Sequence, residues 1–211
     1  MKQLIALLAT LYIACTHAQL PPAWRHSPDI AVLGAADDPR RPLVDEAIDY
    51  WNRQLEHVGS SFRLNAARHV TQALPEPALF AFYQRAARVG LHAAAFSVDI
   101  TALPGDMVIV LTRSHVISLA APMGGRVWVL IRPSSVPPLS LPNVARNVVA
   151  HEIGHALGLG HNDDPRALMC GRPAPCRPED YVGQEPKLFP LLPVERERLA
   201  RLYPSSWTPA R

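Results

Sequence analysis

Three histidines and a glutamate stand within eleven residues, His151-Glu152-Ile153-Gly154-His155-Ala156-Leu157-Gly158-Leu159-Gly160-His161. On a helix of 3.6 residues per turn, His151 and His155 are about 400° apart, so both rings leave one side of the helix, one turn apart. His161 on a continued helix would sit about 600° beyond His155 and face elsewhere. The chain must turn first. Gly158 stands where a helix can stop in the left-handed conformation, and Gly160 adds freedom. With that turn His161 becomes a third nitrogen ligand, and three protein ligands with an open fourth position is the arrangement of catalytic rather than structural zinc. Neutral imidazoles without carboxylate or thiolate suit zinc, a borderline-soft and redox-silent ion, while geometry alone leaves cobalt and copper open. Glu152 is adjacent to the first ligand without being one. Its carboxylate can take a proton from a water attacking a carbonyl and return it to the leaving amine. His151, His155 and His161 are therefore the candidate ligands of one catalytic Zn2+ ion, and Glu152 the candidate general base. The two-histidine core alone would fit a helix with solvent-facing His and Glu; the eleven-residue pattern with its glycines is far more specific.

The elements that position these residues are legible from periodicity. Residues 30–33 read as a first strand. A helix follows, opened by Pro42, with Leu43, Val44, Ala47, Ile48, Trp51 and Leu55 on one apolar face and Gly59 at its end. Residues 62–64 alternate like a short strand, residues 78–89 read as a second helix stopped by Gly90, and residues 91–105 favour no element. The apolar runs 107–111 and 127–131 read as buried strands, with a shorter edge-like strand at 117–121 between them. After a proline- and serine-rich loop at 133–142, the pattern turns helical from Asn143. Val144, Val148, Ile153, His155 and Leu157 lie on this long, mostly apolar helix, central to the fold. Residues 193–203 form a closing amphipathic helix, with Val194, Leu199 and Leu202 inward and five charged residues outward. Helices mixed with few strands predict an α+β (α/β-like) domain around one sheet.

The N-terminus has a different character. Lys2, an apolar stretch over residues 4–14 and the small residues of Thr16-His17-Ala18 read as a secretory signal over residues 1–18, with the mature chain starting near Gln19. That stretch is too short to span a bilayer, which needs about 20 residues, so no transmembrane segment is expected. The alternative is a lipid anchor on Cys15, although Tyr12 stands where a lipoprotein signal prefers Leu. Export to the periplasm or the extracellular space would let Cys170 and Cys176 close a small disulfide loop; free thiols are the other reading. The 211 residues are 48% hydrophobic and 18% charged with 22 prolines, a globular composition that excludes disorder and collagen. The net charge of +3 comes from scattered Lys and Arg with no basic run, and no nucleic-acid motif is present.

Residues 151–161 followed by Ala167-Leu168-Met169 resemble the zinc-binding helix and Met-turn of the metzincin metalloproteases. The interval to Met169 and the run Gly154-His155-Ala156-Leu157-Gly158-Leu159 are most similar to the matrixin branch, the relatives of the matrix metalloproteinases. The resemblance implies that His151, His155 and His161 bind zinc, that Glu152 is the general base and that Met169 forms an apolar floor beneath the metal. On residues alone Met169 reads equally as a core methionine. It further implies a single catalytic domain over residues 19–211 with a twisted mixed sheet, a long central zinc-binding helix, a Met-turn and a C-terminal helix. The specific match covers residues 151–169, with weaker agreement at a helix near the start, at the strands before the zinc helix and at Leu199 to Tyr203. There are departures. Matrixins continue after the methionine with Tyr and Pro, whereas this chain has Cys170 and Gly171, so the wall receiving the residue after the cut bond differs and specificity does not carry over. No long segment with a metal-masking cysteine precedes the fold, so activity is expected without removal of one. A second, structural zinc site has no clear copy: His69, His92 and His115 are isolated and read as surface or hydrogen-bonded core residues. Asp163 and Asp164 read as turn caps, with orientation of His161 or calcium binding as alternatives.

The expected function is that of an exported zinc endopeptidase acting on a protein or peptide laid along an edge strand, for which residues 117–125 are the candidates. A non-catalytic metal-binding or adhesive protein of the same fold is the alternative from another class, and the intact Glu152 argues against it. A lipid-anchored peptidase acting on neighbouring envelope proteins is the third. Oligomeric state and natural substrate have no signal in the sequence.

Overall fold

The structure is a computed structural model that describes residues 20–71, 74–89, 103–171, 174, 176, 182–183 and 185–210. Its strands are β1 (Ile30–Leu33), β2 (Ala67–Val70), β3 (Met107–Leu111), β4 (Leu119–Met123) and β5 (Arg126–Ile131), and its helices α1 (Arg41–His57), α2 (Glu76–Val89), α3 (Pro142–Ala156) and α4 (Pro193–Leu202). The strands form one mixed sheet in the order β2-β1-β3-β5-β4, parallel throughout except for β4, which runs antiparallel at the edge. This is the expected α+β architecture around one sheet, with α3 as its long central helix.

Both sheet faces are covered, which is why β1, β3 and β5 read as unbroken apolar runs. Side chains alternate between faces along a strand. Ile30, Val32, Met107, Ile109, Val129 and Ile131 pack towards α1 and α3, whereas Ala31, Leu33, Val108, Val110, Trp128 and Leu130 pack towards α2. Trp51 of α1 is fully buried and donates its indole N–H to the Ala150 carbonyl of α3 at 2.8 Å, so the two helices on the first face are locked together. At the C-terminal ends of β3 and β5 the last ladder bond runs from the Thr112 N–H to the Ile131 carbonyl. There the buried Arg40 guanidinium donates to the carbonyls of Thr112, Ile131 and Arg132 at 2.7–3.0 Å and pairs with Asp38 at 2.5 Å. Among the described residues no helix is long and apolar enough to cross a membrane.

Four expectations shift. Residues 62–64 form no strand: Leu64 gives its N–H to the Asn52 side chain and receives the Asn52 amide at its carbonyl, so a side chain replaces the strand partner. Phe62 is buried there by stacking on Tyr203, ring centroids 4.3 Å apart. The strand in this region is β2, half-exposed, with Arg68 and His69 in place of a clear apolar alternation. The edge strand begins at Leu119, not at residue 117, leaving Ile117 58% exposed. Its register is set by Gly124 and Gly125, both at positive φ (59° and 75°), which make a two-residue hairpin turn joining Met123 to Arg126. On α3 the face turned to the core carries Val149 and Ala150, while Val148 is half-buried. On α4, Leu199 and the following Tyr203 are buried as the periodicity requires, but Val194 is 58% exposed and Glu195, expected outside, is 6% exposed. Glu195 lies inward because it caps its own helix, accepting the Leu192 N–H at 2.7 Å. The expected α2 stop at Gly90, residues 91–102 and the N-terminal signal over 1–18 lie outside the described residues.

Candidate metal centre

The last two turns of α3 carry His151 and His155 on one side, ring centroids 4.6 Å apart. The helix ends at Ala156 with Leu157 as its cap, and Gly158 at φ +90° reverses the chain. The reversal is secured by the Leu159 N–H on the Gly154 carbonyl at 3.0 Å and the Gly158 N–H on His155 at 2.9 Å. A helix end leaves carbonyls without internal partners. Here distant side chains take them: Trp24 Nε1 donates to Ala156 at 2.9 Å, the Tyr203 hydroxyl to Leu157 at 3.1 Å and Arg198 Nε to Gly158 at 2.7 Å.

The reversed chain returns His161 to the other two rings. Its Nε2 lies 2.9 Å from His155 Nε2 and 3.2 Å from His151 Nε2. Nδ1 of His151 meets the Leu168 carbonyl and Nδ1 of His155 the Leu159 carbonyl, each at 2.8 Å. A carbonyl only accepts, so both Nδ1 atoms carry the proton and both Nε2 atoms present lone pairs towards one point. Burial, reinforced by the His155 ring and opposed by the carbonyl bond, pushes His151 down to about 3; burial against its own carbonyl bond brings His155 to about 4, and burial lowers His161. The rings are neutral at pH 7, the form that binds a metal. Tetrahedral zinc at about 2.0–2.1 Å from each nitrogen separates its ligands by about 3.3 Å, close to the spacing here. The donor set therefore fits a zinc ion, and among the described residues it is the sole cluster of three or more His, Cys, Asp or Glu that could hold one.

Glu152 is 6% exposed, its Oε2 has no hydrogen-bond partner, and burial raises its pKa to about 8. Met169 is fully buried and packs on α3 where the helix has no side chain: a Cβ on Gly154 would lie 2.5 Å from Met169 Sδ and 2.7 Å from Trp51 Cζ2. Cys170, next in sequence, forms a disulfide with Cys176. Asp164 caps its turn by accepting the Arg166 N–H at 2.7 Å. His69 bonds Asp45 at 2.8 Å, His115 is exposed, and His92 lies outside the described residues.

Several residues at the centre escaped the sequence reading. Asn162 gives its backbone N–H to Met169 at 2.9 Å and its side-chain amide to Glu195, whose pKa burial raises. Gly171 donates to the Asn162 carbonyl at 3.0 Å. Asn143 and Asn147 hold the segment 185–189, receiving its N–H groups from Lys187 and Phe189 at 2.8–3.0 Å. Two asparagines four apart on a mostly apolar helix were a signal for that role; for Trp24 and Glu195 the sequence offered none.

Residues 134–180 match the family model of the matrixins. That stretch holds His151, His155, His161, Glu152, Met169, Cys170 and Cys176. No curated protein is matched. Among solved structures the chain is similar to an archaemetzincin (amzA) from Methanopyrus kandleri, at 18% identity over 87% of this chain and 98% of that one, with a TM-score of 0.42. It is also similar to a zinc-dependent peptidase from Methanocorpusculum labreanum (strain Z), at 19% identity over 81% of this chain and 99% of that one, with a TM-score of 0.39.

Proposed function

We propose that this chain is an exported zinc-dependent endopeptidase of the metzincin kind, in which His151, His155 and His161 hold one zinc ion and Glu152 is the general base. The observation that carries the reading is the convergence of three Nε2 atoms, two of them fixed as lone-pair donors by carbonyls on their far nitrogens. Zinc bound there supplies Lewis-acid polarisation of the scissile carbonyl and makes water more acidic. A cation on the three rings would favour the ionised form of the buried Glu152, which then accepts the proton of the water whose oxygen adds to the carbonyl carbon, and passes it to the amine nitrogen as the C–N bond breaks. Its burial keeps bulk solvent from competing for that proton. Substrate lies along β4, which pairs with β5 on one edge only and has no strand partner on the other among the described residues. An extended peptide adds there as a further strand, using main-chain hydrogen bonds that are indifferent to its side chains. Met169 floors the site.

Residues 1–18 serve as a cleaved signal, and the Cys170–Cys176 disulfide supports residence in an oxidising compartment. N-terminal sequencing of the exported protein is expected to begin at Gln19; lipid attached to Cys15 would instead establish an anchored peptidase. The decisive experiment compares peptide cleavage and bound metal in the parent and in Glu152→Ala. Loss of turnover with zinc retained is the expected result, and equal turnover would remove Glu152 from the mechanism.

A further inference from the structure

The three histidines are not held alike. His151 and His155 are each oriented by a carbonyl on Nδ1, but His161, the exposed member, has no such partner among the described residues. Its ring is held by contact instead. A Cβ on Gly171 would lie 2.5 Å from His161 Cδ2 and 2.6 Å from Nδ1, and closer still to Cγ. The bare Cα of Gly171 therefore lies against the imidazole, and any larger residue forces the ring or the backbone to move. Two backbone bonds set that approach: the Gly171 N–H reaches the Asn162 carbonyl at 3.0 Å, and the Asn162 N–H reaches the Met169 carbonyl at 2.9 Å. The neighbours of His161 and of Gly171 thus face each other across a short bridge between Asn162 and Cys170. Cys170 is tied covalently to Cys176, which closes the chain just beyond Gly171 into a small loop and limits its retreat from the ring.

We propose that Gly171, secured by the Cys170–Cys176 disulfide, is the positioning residue of the third metal ligand, doing by packing for His161 what carbonyls do for His151 and His155. The inference rests on the zinc reading above. An orienting partner of a ligand is typically worth about ten- to a hundred-fold in metal affinity. Replacing Gly171 displaces the ring from the shared point, so the loss belongs to His161 alone.

The test is a double-mutant cycle in the full chain, read by zinc competition with a chromophoric chelator and by the absorption spectrum of the cobalt-substituted protein. Gly171→Ala is expected to weaken zinc binding roughly ten- to a hundred-fold and to alter the cobalt spectrum. In the His161→Ala background the same substitution is expected to change affinity by less than about twofold, within the error of additivity. Affinity within twofold of the parent for Gly171→Ala, or an equal loss in both backgrounds, would overturn the proposal. Should Gly171→Ala fail to fold, the paired variant Cys170→Ser/Cys176→Ser carries the test: faster zinc release to the chelator is expected, and an unchanged release rate overturns the role of the loop. A parent that binds no zinc would defeat the underlying reading instead, and is recognised before any variant is made.

Discussion

Gly154→Ala reverses the sign that helix propensity assigns to it. In an exposed helix interior, Ala is favoured over Gly by about 1 kcal/mol. At this position the new methyl would lie 2.5 Å from Met169 Sδ and 2.7 Å from Trp51 Cζ2, both in fully buried side chains. Methionine can bend away, but Trp51 is rigid and is pinned by its indole N–H on the Ala150 carbonyl at 2.8 Å. Overpacking of this kind costs about 1–3 kcal/mol, and loss of the indole hydrogen bond about 1 kcal/mol more. The variant should therefore be less stable than the parent by about 1–3 kcal/mol after the propensity gain is set against these costs. Urea unfolding of both metal-free proteins measures it as a lower midpoint at unchanged slope. A variant as stable as the parent, or more so, would refute the packing account of Met169 and with it the reason a glycine stands between His151 and His155.

Arg40→Met removes the guanidinium from three carbonyls, of which Ile131 keeps the Thr112 N–H, and leaves Asp38 without its charged partner, so a loss of about 3–5 kcal/mol is expected in thermal or urea unfolding. Glu76, at the start of α2, loses some of its acidity to burial, but hydrogen bonds from Ser114, Arg113 and Thr112 outweigh this and lower its pKa. Because the folded pKa is depressed, its contribution to stability is present above its unfolded value and is lost as the pH falls through the folded one. Stability profiles of the parent and Glu76→Gln should accordingly converge at acid pH, and parallel profiles would exclude the role. A zinc ion held as proposed would bind the folded site in preference to the unfolded chain, so chelation should lower the melting temperature and added zinc should restore it in proportion to the logarithm of its concentration. A melting temperature indifferent to both would mean that the three rings hold no ion.

Much of the fold was legible because it is local. The strands at 30–33, 107–111 and 127–131 announce themselves as apolar runs, since both sheet faces are covered, and α1 shows its buried stripe from Val44 to Leu55. Where burial and backbone pairing part company, the reading failed. Phe62 and Leu64 are buried without being a strand, and β2 is a strand with only partial burial. Glu195 shows the same limit from the polar side, because a charged residue on a helix is assigned to solvent unless its hydrogen-bond partner is visible.

Spacing by itself determined that His151 and His155 share a helix side and that a glycine must turn the chain before His161, because 3.6 residues per turn and the cost of left-handed backbone act within a few neighbours. Only the tertiary structure decided how each ring is held: by Leu168, by Leu159 and by the bare Cα of Gly171. It likewise decided that Trp24, Tyr203 and Arg198 close the end of α3. Those contacts join residues up to 132 positions apart, and no periodicity encodes them. They exist because packing around one sheet brings distant donors to the few carbonyls that a helix cannot satisfy by itself.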